Sequence, residues 1–562
     1  MSKLVIYQVL PRLFGNMNAT KKPNGTMLEN GCGKFENFST VALQSIRSLG
    51  ITHIWYTGII EHATRNDYTA YGIQKDHDVL VKGNAGSPYA IKDYYDVDPD
   101  LAVKVENRMD EFESLICRTH EAGMKVIIDF VPNHVSRQYH SDAKPKFVAD
   151  LGEKDHQEWA FSPLNNFYYI PNKYFNPPFD IKGFTEFPAK ATGNDRFTDS
   201  PTLNDWYETV KLNYGVNYNE GHQKQFSPIP DTWYKMLDIL SFWASKGVDG
   251  FRCDMAEMVP VEFWNWAITA VKNNFPEIIF IAEIYQPAQY RDFLSNGKFD
   301  FLYDKVGMYE MLRNVTSKNF PVRDITNAWQ SLGGIENQML NFLENHDEQR
   351  IASGFFSGNG MYAQPAMIVA ATLTKAPVMI YAGQELGEMG MDSEGFSGID
   401  GRTSIFDYWS PDTLRAWCNN GKFDLEKLSE EQCALREFYA KLLNITVSEI
   451  AITNGLMYDL EFANFNNPKF NSHEQFAYFR KFNNELLLVV LNFHDQYLET
   501  EVRLPREAFQ YLGINEGTQY SYRNLLNDNE EIRSVILSSN RVFQTEIPAW
   551  HGKIFKLIAQ SE

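Results

Sequence analysis

The chain is 562 residues long, 44% hydrophobic and 22% charged, the profile of soluble globular material in two or three domains rather than a fibrous, disordered or membrane-embedded one. Its formal net charge of −20 leaves no basic face for nucleic acid or an anionic membrane, so neither is expected as a partner and a neutral substrate fits better. Five cysteines, Cys32, Cys117, Cys253, Cys418 and Cys433, are odd in number and widely spaced, which argues against a zinc cluster or a disulfide framework.

The N-terminal MSKLVIYQVLPRLF has a short apolar run broken at Gln8 and Pro11, unlike a signal peptide, and no run of about 18 apolar residues follows, so a cytoplasmic protein is expected. Strand-like runs then alternate with helical patterns, the signature of a parallel α/β fold. In chain order the runs are Val5–Pro11, Ile51–Ile59, Met124–Val131, VDGFRCD ending at Asp254, IIFIAEI ending at Ile284, Phe299–Asp304, MLNFLENHD ending at Asp347, and Ala376–Glu385. Between them lie helical patterns such as Arg108–Gly123, whose last glycine suits a C-terminal cap. Eight strand–helix units predict a closed (β/α)8 TIM barrel over 1–133 and 229–450.

One gap breaks the rhythm. Asp254 to Glu283 is 29 residues, about one strand–helix–strand unit, whereas Asp129 to Asp254 is 125. The segment 134–228, rich in Asn, Pro, Asp and aromatics and poor in helical period, is therefore expected as an irregular subdomain inserted after strand 3, roofing a pocket. After the helical Leu428–Leu443, short strands take over. QFAYFRKF, Asn483-Asn484 and ELLLVVLNF read as a hairpin, and a C-terminal all-β sandwich is expected over 451–562.

Four of the barrel runs end in chemistry: IIDFVPNH (127–134), GFRCD (250–254), FIAEIY (280–285) and FLENHD (342–347). Singly each is weak, since an acid after an apolar run is usually a strand end meeting solvent. Together, at barrel spacing, they bring three carboxylates, Asp254, Glu283 and Asp347, to one mouth. Cleaving a glycosidic bond needs at least two, and the 14% aromatic content suits sugar rings stacked on flat side chains.

With these four stretches in this order, the chain closely resembles the α-amylase family of retaining glycoside hydrolases and transglycosylases over about Val5 to Glu388. The resemblance implies Asp254 as nucleophile, Glu283 as general acid/base and Asp347 as a stabiliser of the distorted, oxocarbenium-like sugar. It implies His134 and His346 as hydrogen-bonding partners of that sugar, Tyr89 as its stacking platform, Arg252 as the cation beside Asp254, and Asp129 as a brace for Arg252. A guanidinium next to Asp254 is expected to keep its pKa low. Tyr408 and Trp409 are weaker candidates for further subsites. Activity is expected on α-1,4 bonds of malto-oligosaccharides or α-glucans, with a glucanotransferase using the same site as the alternative. A non-catalytic binding or chaperone subunit is the remote one, since all three acids are present. Oligomeric state is left open.

Many members of the family hold a structural calcium with the asparagine at Asn133 and an aspartate in the inserted subdomain. Here the matching motif is TVKLN (209–213), with Lys211 in place of that aspartate. An ammonium is incompatible with ligating a cation, so no cofactor or metal is expected. TVKLN is closer to the neopullulanase and cyclomaltodextrinase branch, whose members usually carry an extra N-terminal β-domain; here the first barrel strand falls at Val5.

Overall fold

Short strands that are apolar on both faces bury them fully only if their sheet closes on itself and is jacketed by helices. The computed structural model describes residues 3–396 and 398–560 and shows that solution. Eight parallel strands close in chain order: β1 (Val5–Val9), β2 (His53–Tyr56), β3 (Lys125–Phe130), β4 (Gly250–Cys253), β5 (Ile279–Ala282), β6 (Phe301–Tyr303), β7 (Met339–Phe342) and β8 (Val378–Tyr381). β8 pairs back onto β1, Val5 opposite Val378. Each of the eight expected runs contributes one strand, shorter than the run because its last residues leave the ladder for the loops at the mouth.

Side-chain period two sorts each strand. Val5, Tyr7 and Val9, or Val126, Ile128 and Phe130, pack outward into the main core, while Ile6, Trp55, Ile127, Ile281, Leu340 and Met379 fill the barrel. β4 starts on Gly250, where a Cβ would stand 2.6 Å from Ile279 Cγ1. Ladder partners set the mouth: Arg252 lies opposite Asp129 and Ile281, and Cys253 opposite Ala282. One step further, Asp254 and Glu283 leave neighbouring strands at the same level, about 5 Å apart in backbone.

Between β3 and the helix Asp231–Ser245 the chain forms no α-helix among the described residues, only short paired strands and a 3-10 turn at Tyr218–Glu220. His134–Ser136 pairs with Thr209–Lys211, Tyr169–Ile170 with Ala189–Lys190, and Val216–Asn217 with Gln223–Lys224. Nor is any helix among the described residues long and apolar enough to cross a membrane.

The C-terminal part is all β apart from the short helices Glu461–Asn464 and Arg506–Leu512. Its strands are β9 (Leu456–Asp459), β10 (Gln475–Phe482), β11 (Glu485–Asn492), β12 (Leu498–Arg503), β13 (Gln519–Asn524), β14 (Arg533–Ile536), β15 (Val542–Ile547) and β16 (His551–Ala559). Six form one sheet, in the order β9-β10-β11-β16-β13-β14, and β12 pairs with β15. The β10–β11 hairpin turns through two residues with Asn483 at φ 49°, which an asparagine tolerates. The unbroken run Leu486–Leu491 is explained by burial on both faces. Leu487, Val489 and Leu491 join the barrel core, while Leu486, Leu488 and Val490 join a second core with Val502, Phe543 and Phe509.

Arg480 on β10 fastens this sheet to the barrel. Its buried guanidinium donates to the carbonyls of Leu373 (2.8 Å), Ala451 (3.1 Å), Ile452 (2.7 Å) and Gly455 (3.1 Å). Burial lowers its pKa to about 10. Arg480→Met keeps the stem and removes these donors. Leaving buried carbonyls unpaired should cost at least about 2 kcal/mol, read as a lower midpoint in thermal unfolding. A variant that melts with the parent chain would show that these bonds do not hold the junction.

Candidate active site

The interior rows of β3, β4 and β5 end on Asp129, Arg252 with Asp254, and Glu283, so barrel parity alone turns these groups into the mouth. Arg252 is 1% exposed and is the hub. Its Nη1 donates to Asp254 Oδ1 at 2.6 Å and reaches Asp129 Oδ1 at 3.5 Å. Its Nη2 lies 2.7 Å from Glu283 Oε1, an ion-pair distance without hydrogen-bond alignment. Nε donates to the Tyr303 hydroxyl at 3.2 Å, and the rings of Trp55, Tyr89 and Tyr303 surround the guanidinium at 5.2–5.4 Å.

Glu283 is held from two further sides. Its Oε2 accepts the Met255 N–H at 2.8 Å and its Oε1 accepts the Tyr285 hydroxyl at 2.6 Å. Met255 reaches that position from a left-handed conformation, φ 45°, directly after Asp254, a strain that sites tolerate where the surroundings enforce it. Glu257 in turn accepts the backbone N–H groups of Tyr285 (3.0 Å) and Gln286 (3.1 Å), bracing the loop that carries Tyr285.

Burial pushes the Asp254 carboxyl up and Arg252 pulls it back without reversing the shift. The low pKa expected from the guanidinium alone is thus corrected: dehydration in the barrel mouth outweighs it. Glu283 is raised by burial too, and the charge of Asp254 adds to the rise while Arg252, Tyr285 and Met255 oppose it. Asp129 is pushed up to about 7 by burial, against the pull of Arg252 and of Trp55 Nε1, which donates to it at 3.0 Å.

His346 is neutral, its pKa driven well down by burial and by Arg252. Gln8 Nε2 stands 2.7 Å from its Nδ1, which leaves Nε2 to carry the proton and meet the Tyr89 oxygen at 2.5 Å. Tyr89 then points its own hydroxyl toward Asp129, 3.4 Å away. Asp347 lies 3.2 Å from His346 Nε2 with 44% of its side chain open to the cleft. Its pKa rises through enclosure and the charges of Glu283 and Asp254, a rise that solvent screening limits. His134, at the start of its short strand, is buried beside Trp206, ring centroids 5.3 Å apart. Burial, then the charges of Lys211 and Lys82, lower it to about 3. Tyr89, His134, Asp254, Glu283 and Asp347 line one cavity of about 290 Å³.

The family model for the alpha amylase catalytic domain matches residues 8–418. The chain belongs to the alpha-amylase family. It is an amylase-type enzyme in a family of glycoside hydrolases and transglycosylases. It is 27% identical over 388 residues to alpha-amylase 3 of Dictyoglomus thermophilum, covering 65% of this chain and 68% of that protein. It is 22% identical over 402 residues to neopullulanase 2 of Thermoactinomyces vulgaris, covering 69% and 57%. To cyclomaltodextrin glucanotransferase of Bacillus sp. (strain 38-2) it is 22% identical over 414 residues, covering 70% and 51%. The chain thus spans between about half and two thirds of these curated relatives. In structure it is similar to the noncanonic maltogenic alpha-amylase AmyB of Thermotoga neapolitana, with a TM-score of 0.63 at 20% identity over 99% of this chain and 98% of that one.

Within this alpha-amylase architecture, the ladder between His134–Ser136 and Thr209–Lys211 sets Lys211 opposite His134. The buried Lys211 ammonium donates to Asn133 Oδ1 and lies 2.7 Å from Asp195 Oδ1. Burial lowers its pKa, and Asp195 opposes that shift.

Two sequence candidates lie elsewhere. Tyr408 and Trp409 are buried, their polar atoms engaged by Asp100 and Asn66 and by Asp392, so they are not sugar platforms. In their place Phe406 and Trp206 line the cavity, with Lys82, Glu208 and Tyr285. No motif marks these five; only the Glu-x-Tyr spacing of Glu283 and Tyr285 was available to read.

Tyr285→Phe removes a hydrogen bond that favours ionised Glu283, so the Glu283 pKa should rise. The basic limb of the pH–activity profile should then move to higher pH with the acidic limb in place. A profile superimposable on the parent's would remove Tyr285 from control of that proton.

Proposed function

We propose that the chain is a retaining glycoside hydrolase that cleaves α-1,4-glucosidic bonds of malto-oligosaccharides and α-glucan fragments by double displacement. One observation carries this reading: Asp254 and Glu283 sit on the two ends of a single buried guanidinium. That span suits the separation of about 5–5.5 Å of a retaining pair and is short of the 6.5–9.5 Å that an inverting pair needs for water. Asp254 attacks the anomeric carbon while Glu283 gives its proton to the glycosidic oxygen, and the shortened sugar leaves. Glu283, now a carboxylate, takes a proton from water, whose oxygen displaces Asp254 and restores both groups. Asp347, His134 and His346 hold the hydroxyls of the distorted sugar, and Tyr89 stacks on its ring. The similarity to cyclomaltodextrin glucanotransferases favours one second reading, in which a sugar hydroxyl replaces that water.

A time course on maltoheptaose, resolved by chain length, separates the two. Shorter sugars alone fit hydrolysis, products longer than seven units fit transfer, and an unchanged substrate would sink both. Asp254→Asn should abolish turnover with the melting curve kept, and proton NMR should show the α-anomer as first product. A β-anomer would refute retention.

The reading includes the Lys211 ammonium in the place where relatives hold calcium. The oxygens of Asn133 and Asp195 both face Lys211 Nζ, and a divalent cation among them would meet a buried like charge, so these residues do not fit calcium. Chelator should leave activity and melting temperature unchanged, while Lys211→Met should lower stability by about 1–3 kcal/mol by orphaning the buried Asn133 oxygen. Activity lost to chelator and restored by calcium would overturn this assignment. A cytoplasmic setting fits the five free thiols, Cys117 among them exposed.

A further inference from the structure

The cavity is walled unequally. Met255 and Tyr285 line it beside Glu283, where the leaving sugar must depart because the acid protonates its oxygen. The sugar that is attacked therefore lies toward His134, and there the wall is built by Lys82, Trp206, Glu208, Ile405 and Phe406.

Three chain segments meet in that wall and are locked together. Glu208 directly precedes the strand Thr209–Lys211, and its carbonyl accepts the Arg137 N–H at 2.8 Å. Lys82 belongs to the loop after β2, which packs on the loop after β8. Ala85 N–H donates to the Phe406 carbonyl at 3.0 Å, and a Cβ on Gly83 would stand 2.1 Å from the same oxygen. The buried Arg12 guanidinium donates to both loops, to Ile405 O at 2.9 Å and to Ala85 O at 3.4 Å. Across this seam Lys82 Nζ stands 2.5 Å from Glu208 Oε1, with the Glu208 side chain 3% exposed and that of Lys82 23% exposed. Among the described residues Glu208 Oε2 has no hydrogen-bond partner, so Lys82 is the cation that compensates a nearly dry carboxylate. The ammonium is close enough to the site for its charge to act on His134.

A surface staple would leave both partners in solvent, whereas this one lines the substrate cavity. An ammonium held on one side by Glu208 has further N–H bonds for hydroxyl oxygens. The cavity is about 290 Å³, at the lower end for ligand sites. We propose that the Lys82–Glu208 pair closes the pocket behind the attacked sugar and that Lys82 binds hydroxyls of the non-reducing terminal unit, making the enzyme exo-acting on α-glucan chain ends. This rests on the hydrolytic reading above.

The test compares maltoheptaose with maltoheptaose whose non-reducing terminal 4- and 6-hydroxyls are tied in an acetal, followed by chromatography of products. The parent enzyme should cleave the free sugar and process the blocked one at least about a hundredfold more slowly. Lys82→Met should raise KM for the free sugar about tenfold, the scale of one charge-assisted hydrogen bond, with kcat little changed, and should narrow the gap between substrates. Glu208→Gln, which keeps the volume and releases Lys82, should move both readouts the same way. Equal cleavage of the two sugars by the parent enzyme would overturn the closed pocket while leaving the hydrolytic reading intact. An unchanged KM in Lys82→Met would remove the ammonium from substrate binding, and cleavage of neither sugar by the parent would bring down the hydrolytic reading and this inference together.

Discussion

A single buried cation organises this molecule's chemistry. Arg252 contacts Asp129, Asp254 and Glu283 at once, inside a ring of Trp55, Tyr89 and Tyr303. Three carboxyl groups around one positive charge in a dehydrated site cannot all be ionised without a large desolvation penalty. Burial accordingly raises all three carboxyls above their ordinary range, Asp129 to about 7. A general acid needs a retained proton. Removing Arg252 would unbalance the charges and also empty the space inside its aromatic cage.

The barrel ladder delivers that arrangement with little freedom. With Arg252 opposite Asp129, and Cys253 opposite Ala282, parity sends the following Asp254 and Glu283 to the same level of the same interior face. A one-residue slip between β4 and β5 would turn one of the two carboxyls into the helix layer. Register is fixed by packing further down, where Ile127 and Ile279 crowd around Gly250. The placement of the proposed catalytic acids and core packing are thus the same constraint at two heights of one barrel.

This explains what the sequence made legible. The eight strands could be read because their apolar runs are continuous, and the acids because they sit at run ends, where interior rows reach the mouth. Burial was not legible. Tyr408 and Trp409 look like platforms in a loop, yet their polar atoms find Asp100, Asn66 and Asp392 from distant segments and the rings are buried. The low pKa expected for Asp254 misjudged the same quantity, since a neighbouring guanidinium can be read from sequence and the missing water cannot. Trp206, Glu208, Lys82 and Phe406 escaped because they come from three irregular segments that only the folded chain brings together.

Those segments differ from the barrel in what holds them. The strand Thr209–Lys211 is a three-residue ladder on His134–Ser136, too short to be stable alone. It is anchored at one end by Lys211 on Asn133 and Asp195 and at the other by Glu208 on Lys82. Both anchors are lysine–acid contacts, the first within the insert and onto Asn133 just after β3, the second from the insert to the loop after β2, and both lysine charges act on His134. A substitution at either lysine would remove one anchor and change the field on His134 at once, while Asp254 and Glu283 stay fixed by the barrel register. The division is physical: the carboxyls proposed to break the bond sit where packing allows one position, and the residues proposed to select the sugar sit where two ion pairs set it. A wall of that kind can be retuned by exchanging a few polar side chains, without disturbing the core that aims Asp254 and Glu283.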